Sequence, residues 1–442
     1  MRRIPLIFAV GGLLALGGSA VGGTTTSWSL VTDTGARNID QVGLARTNDG
    51  VLHAVWSRRV GSEEMIRHAT IAKNGQVAAA TTAVGGVRGL SDPDIVTMPD
   101  GSLRLFYGVV TPSPGGIRMS SAGPSGTGWT GGGKVSSDNT GGDPGATSDK
   151  AGTPIFAWSS GINSYYRIGT NPGPDGFLGP SPKCCFYDLE AAVDDANGQA
   201  FVAYHSNVTG ERGLFARQVA PNLGAPQLAP SSLTGGNLLA PDHRMPLVGR
   251  MGGGVYFAYC SGYPRCLHVR LWRVGGRAIA IATGRDIEDV NLARGPEGRL
   301  WVMWQDSGRL RATRTNKAAT RAGAIVNVPS PPGTSSLWDV FGEGSLGPLD
   351  LLAHVTAQGG LATWHRQVLA GLTLKCSAKR TGATCRVTDA GAPVAGAKVR
   401  AGGKTATTSG GGIASLTLTG GRYAVRATKA GYSPASARVR VP

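Results

Sequence analysis

Acidic side chains are scarce in this 442-residue chain: 27 Asp and Glu stand against 44 Lys and Arg, and charged residues total only 16%. So little charge, with 69 Gly spread along the chain, excludes a long helical or coiled-coil protein. Beyond the N-terminus no stretch approaches the roughly 20 apolar residues that a membrane helix requires. There is no His-Glu-x-x-His, no P-loop, no Gly-x-Ser-x-Gly and no EF-hand loop, which removes the common metalloprotease, nucleotide, serine-esterase and calcium-sensor readings. Aromatics are 6%, and the 6 cysteines have nothing resembling zinc spacing. Hydrophobic residues, at 41%, still suffice for a sizeable core.

The N-terminus reads as an export signal. Met1, Arg2 and Arg3 precede an apolar run from Ile4 to Leu16, and Gly17, Gly18, Ser19 and Ala20 follow. That layout predicts a secretory signal over residues 1–20 with cleavage after Ala20. No cysteine lies near that site, against a lipoprotein. The expected location is secreted, extracellular or associated with the cell wall, with no transmembrane segment in the mature chain. In an oxidising compartment the cysteines are disulfide candidates, in three local pairs. Cys260 with Cys266 and Cys376 with Cys385 can each close a short loop. Cys184 and Cys185 are either a vicinal disulfide or two thiols.

Self-similarity is the strongest signal. Short apolar segments ending in an aromatic recur at Trp56, Tyr107, Trp158, Tyr204, Tyr259 and Trp304, spaced 45 to 55 residues apart. A seventh unit, Leu351–His354, carries His in the aromatic position. Asp40, Asp92, Asp143, Asp188, Asp242, Asp289 and Asp339 precede these positions by 15 to 17 residues. Between Asp and aromatic stand turn signals such as Asp49-Gly50, Asp100-Gly101, Asn197-Gly198 and Glu297-Gly298. Further alternating segments complete units of about four strands, the signature of a β-propeller. The predicted fold is all-β: a seven-bladed β-propeller over residues 21–370, with six blades as the alternative, followed by a small β-sandwich over 371–442. Blade seven runs out of chain after Val368, so Thr26–Thr32 is expected to supply its outer strand.

Strand order puts the Asp-Gly turns on one face, and the loops after the aromatics and before the aspartates on the other. The second face collects the candidate ligand contacts: Arg58 with Arg59, Cys184-Cys185-Phe186-Tyr187, and His205 with Ser206 and Asn207. The Cys260–Cys266 loop and Asp286 and Glu288 join them, where propeller loops converge on the channel. The seven aspartates are expected to accept backbone N–H bonds at the entry to each inner strand. The sharper reading is a carboxylate ring binding a sugar or a cation, calcium included; otherwise no cofactor and no metal is expected.

After Ala370 the composition changes. Residues 371–442 carry 12 Lys and Arg against the single acid Asp389, so most of the net charge of +17 belongs here. The stretch Val387–Tyr432 (VTDAGAPVAGAKVRAGGKTATTSGGGIASLTLTGGRYAVRATKAGY) resembles carboxypeptidase regulatory-like and bacterial immunoglobulin-like domains. That resemblance implies a stalk, spacer or adhesive module without catalytic residues, whose basic surface could hold an anionic cell-wall polymer.

The Asp-x(15–17)-aromatic units resemble those of secreted bacterial sialidase-like propellers. Sialidase Asp boxes are missing, the nearest being Ser148-Asp149 and Thr47-Asn48-Asp49-Gly50 with the wrong spacing, and no arginine triad is identifiable. The expectation is therefore a non-catalytic recognition protein, its propeller mouth binding a glycan or protein. The alternative is a glycoside hydrolase or polysaccharide lyase using carboxylates such as Asp188, Glu190, Asp286 and Glu288. Export and the lack of aromatics clustered with arginines argue against nucleic acid.

Overall fold

The computed structural model describes residues 27–32, 41–171, 173–180, 189–208, 211–232, 244–262, 266–357 and 360–442. The predicted signal, residues 184–188, Asp40 and Asp242 lie outside them. Seven four-stranded antiparallel sheets follow one another around a seven-bladed β-propeller. Blade one runs Val42–Arg46, Leu52–Val60, Glu63–Ile71 and Thr81–Val87 from the channel outward. The predicted turns close the inner hairpins, with Gly50, Gly101 and Gly198 at φ 85°, 83° and 75°.

The recurring aromatics hold the ring together. Trp56, Trp158 and Tyr259 are fully buried, and Tyr107, Tyr204 and Trp304 nearly so. Each packs on the preceding blade: Tyr107 on Val55 and Ile66, Trp158 on Phe106 and Ile117, Tyr259 on Ala203 and Leu214. Trp56 does the same across the closure, against Phe341 and Leu352 of blade seven. The seventh unit departs from expectation. Ala353 and Val355 pack with blade six, whereas Leu352 packs with blade one. By strand alternation His354 lies on the blade-one side, so it does not fill the aromatic position its spacing suggested.

Three of the repeated aspartates sit at irregularities of the inner strands. Register shifts between Gly142 and Gly145, Glu288 and Asn291, and Leu337 and Asp339 bracket or adjoin Asp143, Asp289 and Asp339. Asp143 and Asp289 adopt positive φ of 50° and 48°, which a short polar side chain tolerates in a bulge. Their carboxylates tie blades together. Asp143 Oδ1 accepts the Asp92 N–H at 3.2 Å, and Asp339 Oδ2 accepts Gln41 Nε2 at 3.5 Å.

The N-terminal segment closes the ring as expected. Ser29 pairs with His365 and Leu30 with Trp364, outside strand Gly360–Val368 of blade seven. The Val31 N–H bonds the Thr363 carbonyl at 2.9 Å, and Trp28 Nε1 donates to the Pro329 carbonyl at 2.8 Å.

Residues beyond 371 form two small sheets about one apolar core. One contains Thr373–Lys379, Gly382–Asp389, Ala392–Pro393 and Ile413–Thr417; the other is ordered Lys404–Thr407, Lys398–Ala401, Gly421–Thr428, Ala435–Val441. Disulfides join Cys260 to Cys266 and Cys376 to Cys385.

Candidate functional site: the central channel

The inner strands of all seven blades enclose a cavity of about 390 Å³. Close approach of these strands depends on small residues. A Cβ on Gly145 would fall 2.0 Å from the Leu189 carbonyl oxygen, and one on Gly249 would fall 1.9 Å from that of Val193.

Residues two positions beyond the repeated aspartates reach this cavity: Val42, Asp94, Glu190, Arg244, Asn291 and Phe341. Three of them form one charged group drawn from blades two, four and five. Arg244 Nη1 donates to Asp94 Oδ1 at 2.7 Å and Nη2 to the Pro93 carbonyl at 3.1 Å. Arg244 Nε lies 3.7 Å from Glu190 Oε2. The Ile95 N–H bonds Asp94 Oδ1 at 2.9 Å and the Ala146 N–H bonds Oδ2 at 2.8 Å, while Glu190 Oε1 accepts the Ala191 N–H at 2.9 Å.

These surroundings separate the two carboxyls. Burial pushes Asp94 up, opposed by Arg244 and the two backbone N–H groups. Burial pushes Glu190 well above the usual carboxylate range, and the charge of Asp94 adds to it against the pull of Arg244. Asp94, with three donors, is the better-stabilised anion of the pair, and Glu190 is the more readily protonated.

The remaining channel charges are also matched. Arg46 pairs with Glu343 and Asp350, and its Nη1 donates to the Gly50 carbonyl at 2.9 Å. Arg294 meets Asp195 at 3.4 Å, and Asn291 Nδ2 donates to the Val340 carbonyl at 2.8 Å. The channel thus offers polar groups with little uncompensated charge.

Of the residues singled out in the sequence, Glu190 reaches this cavity. Arg58 is half-buried within strand Leu52–Val60 and His205 lies within Ala200–Val208, so both stand on strands rather than in loops, outside the cavity lining. Burial lowers the His205 pKa to about 4. Asp286 and Glu288 are exposed at the start of the blade-six inner strand; Glu288 accepts Gln305 Nε2 at 2.9 Å and is raised by burial and by Asp286. Cys184, Cys185, Phe186, Tyr187 and Asp188 belong to the undescribed stretch. Sequence reasoning missed Asp94 and Arg244. The clue was positional: the second residue after each Asp is Asp, Glu, Arg or Asn in four of seven copies. Among the described residues no group of three or more His, Cys, Asp or Glu is placed to hold a metal.

The fold and channel define a seven-bladed propeller with a polar axial cavity. No family model and no curated protein matches the chain. Among solved structures it is similar to a Dyadobacter fermentans protein of unknown function, at 10% identity and TM-score 0.48, over 78% of this chain and 99% of that one. It is similar to a catalytically inactive Staphylococcus aureus virginiamycin B lyase with quinupristin (9%, TM-score 0.45, 77% and 98%). It is also similar to an ulvan lyase of polysaccharide lyase family 25 (11%, TM-score 0.48, 76% and 95%). No residue role or activity is carried across from them.

Proposed function

We propose that this is a secreted, non-catalytic recognition protein whose propeller channel binds a neutral polar ligand of saccharide type. One observation carries the reading: Arg46, Arg244 and Arg294, which line the cavity, are each matched by carboxylates of the ring itself. A charged ligand would have to break such pairs, whereas hydroxyl groups can share their remaining hydrogen-bonding capacity. On this reading residues 371–442 are a separate module of carboxypeptidase regulatory-like or bacterial immunoglobulin-like type. It holds the ring at an anionic cell surface.

A hydrolase or lyase is the second reading, and it is favoured by Glu190, whose affinity for a proton is raised by burial and by the charge of Asp94. Against it, both Asp94 oxygens are already occupied by Ile95, Arg244 and Ala146. Among the described residues no second free carboxylate is left there to serve as base or nucleophile. A glycan array on the mature chain, with mass spectrometry of the recovered oligosaccharides, separates the two. Binding with unchanged mass supports recognition; cleavage products overturn it.

A further inference from the structure

The four-stranded sheet Lys404–Thr407, Lys398–Ala401, Gly421–Thr428, Ala435–Val441 has two unlike faces. Val399, Ala401, Val425, Ala427, Val439 and Val441 point inward to the core. The alternate positions Lys398, Arg400, Arg422, Arg426, Arg438 and Arg440 are exposed on the outer face. Register places Arg400 directly opposite Arg426 and Arg422 directly opposite Arg440, with Arg438 opposite Ala424 between them.

Like charges directly opposite on neighbouring strands are destabilising. No acidic side chain of this unit relieves these: its single acid, Asp389, is 2% exposed and bound to Arg314 of the ring. Two opposed arginine pairs with Arg438 between them concentrate five guanidinium groups on one sheet face, against the single pair Lys375 and Arg386 on the other sheet. A counter-charge from outside relieves the repulsion.

The layout defines that partner. Cations repeat about 4.8 Å apart across strands and about 6.8 Å apart along them, so an extended polymer with regular charges meets several at once. Guanidinium groups offer forked donors suited to carboxylate and sulfate oxygens. Between the cations stand Thr405, Ala424 and Ser436, all exposed, and none of these outward positions carries an aromatic. The face thus lacks a stacking platform for bases, and being a sheet it has no helix to enter a groove.

We infer that the outer face carrying Arg400, Arg422, Arg426, Arg438 and Arg440 is a binding site for a linear anionic polysaccharide. This rests on the proposed attachment role of the C-terminal unit, and names the face and the polymer class.

The test uses the mature full chain titrated with heparin and with polygalacturonate over a range of salt. An R400Q/R426Q/R422Q/R440Q variant should lose about tenfold or more in affinity and show a shallower salt dependence. Its melting temperature should hold or rise, since repulsion is removed. K375Q/R386Q, changing the exposed pair directly opposite each other on the second sheet, should lose much less. R438Q alone should show a smaller loss of the same kind. Equal loss in K375Q/R386Q would overturn the face assignment and leave the attachment reading standing. No binding to either polymer would overturn both. Tighter binding to a charge-matched single-stranded DNA would overturn the choice of glycan.

Discussion

Arg314 Nη2, in blade six, lies 2.6 Å from Asp389 Oδ2, in the C-terminal two-sheet unit. Arg299 Nη1 approaches the same oxygen at 3.3 Å and the Tyr432 hydroxyl donates to it at 3.4 Å. The Arg314 guanidinium also lies over the Trp301 and Tyr432 rings, at 5.5 and 5.6 Å. Backbone bonds continue the junction, pairing Ala370 with Tyr432 and Gly371 with Ser433. The unit is therefore docked on the ring through these contacts. D389N would leave two buried guanidinium groups short of a counter-ion, at a loss of about 3–5 kcal/mol. Thermal unfolding should show it, with faster proteolysis around residues 369–372. An unchanged transition would mean the junction is incidental.

Closure of the ring rests on the bonds from Val31 and Trp28 and on the Ser29–Leu30 pairing. Deleting residues 21–34 should lower the melting temperature of the whole propeller, because the blades share interfaces around the circle. Calorimetry showing the transition unmoved would contradict that role.

Within the channel, Arg244 and Glu190 should behave differently. R244Q strands Asp94 and should destabilise by about 3–5 kcal/mol. E190Q puts a neutral amide of the same shape where burial already disfavours a carboxylate, and should leave stability within about 1 kcal/mol. Paired urea titrations would check both. A strongly destabilised E190Q would imply that Glu190, not Asp94, carries the charge.

Burial holds His53, His68 and His354 near pKa 4, against 6.5 for a free imidazole, with the neighbouring His53 adding to the effect on His68. His53 Nδ1 and His68 Nε2 share a hydrogen bond of 2.9 Å. Between pH 6.5 and 4 the unfolded chain binds protons that the folded one does not, so stability falls as pH falls. The slope is roughly 1.4 kcal/mol per pH unit for each histidine. His205, also near pKa 4, adds a fourth imidazole, while Glu190 and Asp94, both raised in the fold, work in the opposite sense. Unfolding midpoints at pH 7 and 5 test this; equal midpoints would mean these imidazoles are hydrated.

The propeller was legible because its blades repeat one apolar pattern with one aromatic, and each aromatic packs on the blade before it. His354 misled because spacing along the chain does not fix which face a residue takes; the ladder does. Strand Ala435–Val441 gives a weak apolar signal in the sequence, because its outward positions Ser436, Arg438 and Arg440 alternate with inward Ala437, Val439 and Val441. Arg58 and His205 were placed in loops because hairpin ends are not marked where strands run to nine residues. The Asp94–Arg244 contact joins residues 150 apart in sequence, and only ring closure brings them together.

The central claim is that the channel binds a polar ligand without transforming it. The most direct measurement is the affinity of the mature chain and of its E190Q variant for the best oligosaccharide from the array, with the recovered sugar weighed by mass spectrometry. The account predicts affinity reduced about tenfold in E190Q, because the amide offers the ligand two N–H donors in place of one of the carboxyl oxygens, and sugar of unchanged mass. Equal affinities would place the ligand outside the channel, and a shortened or unsaturated sugar would make the protein an enzyme.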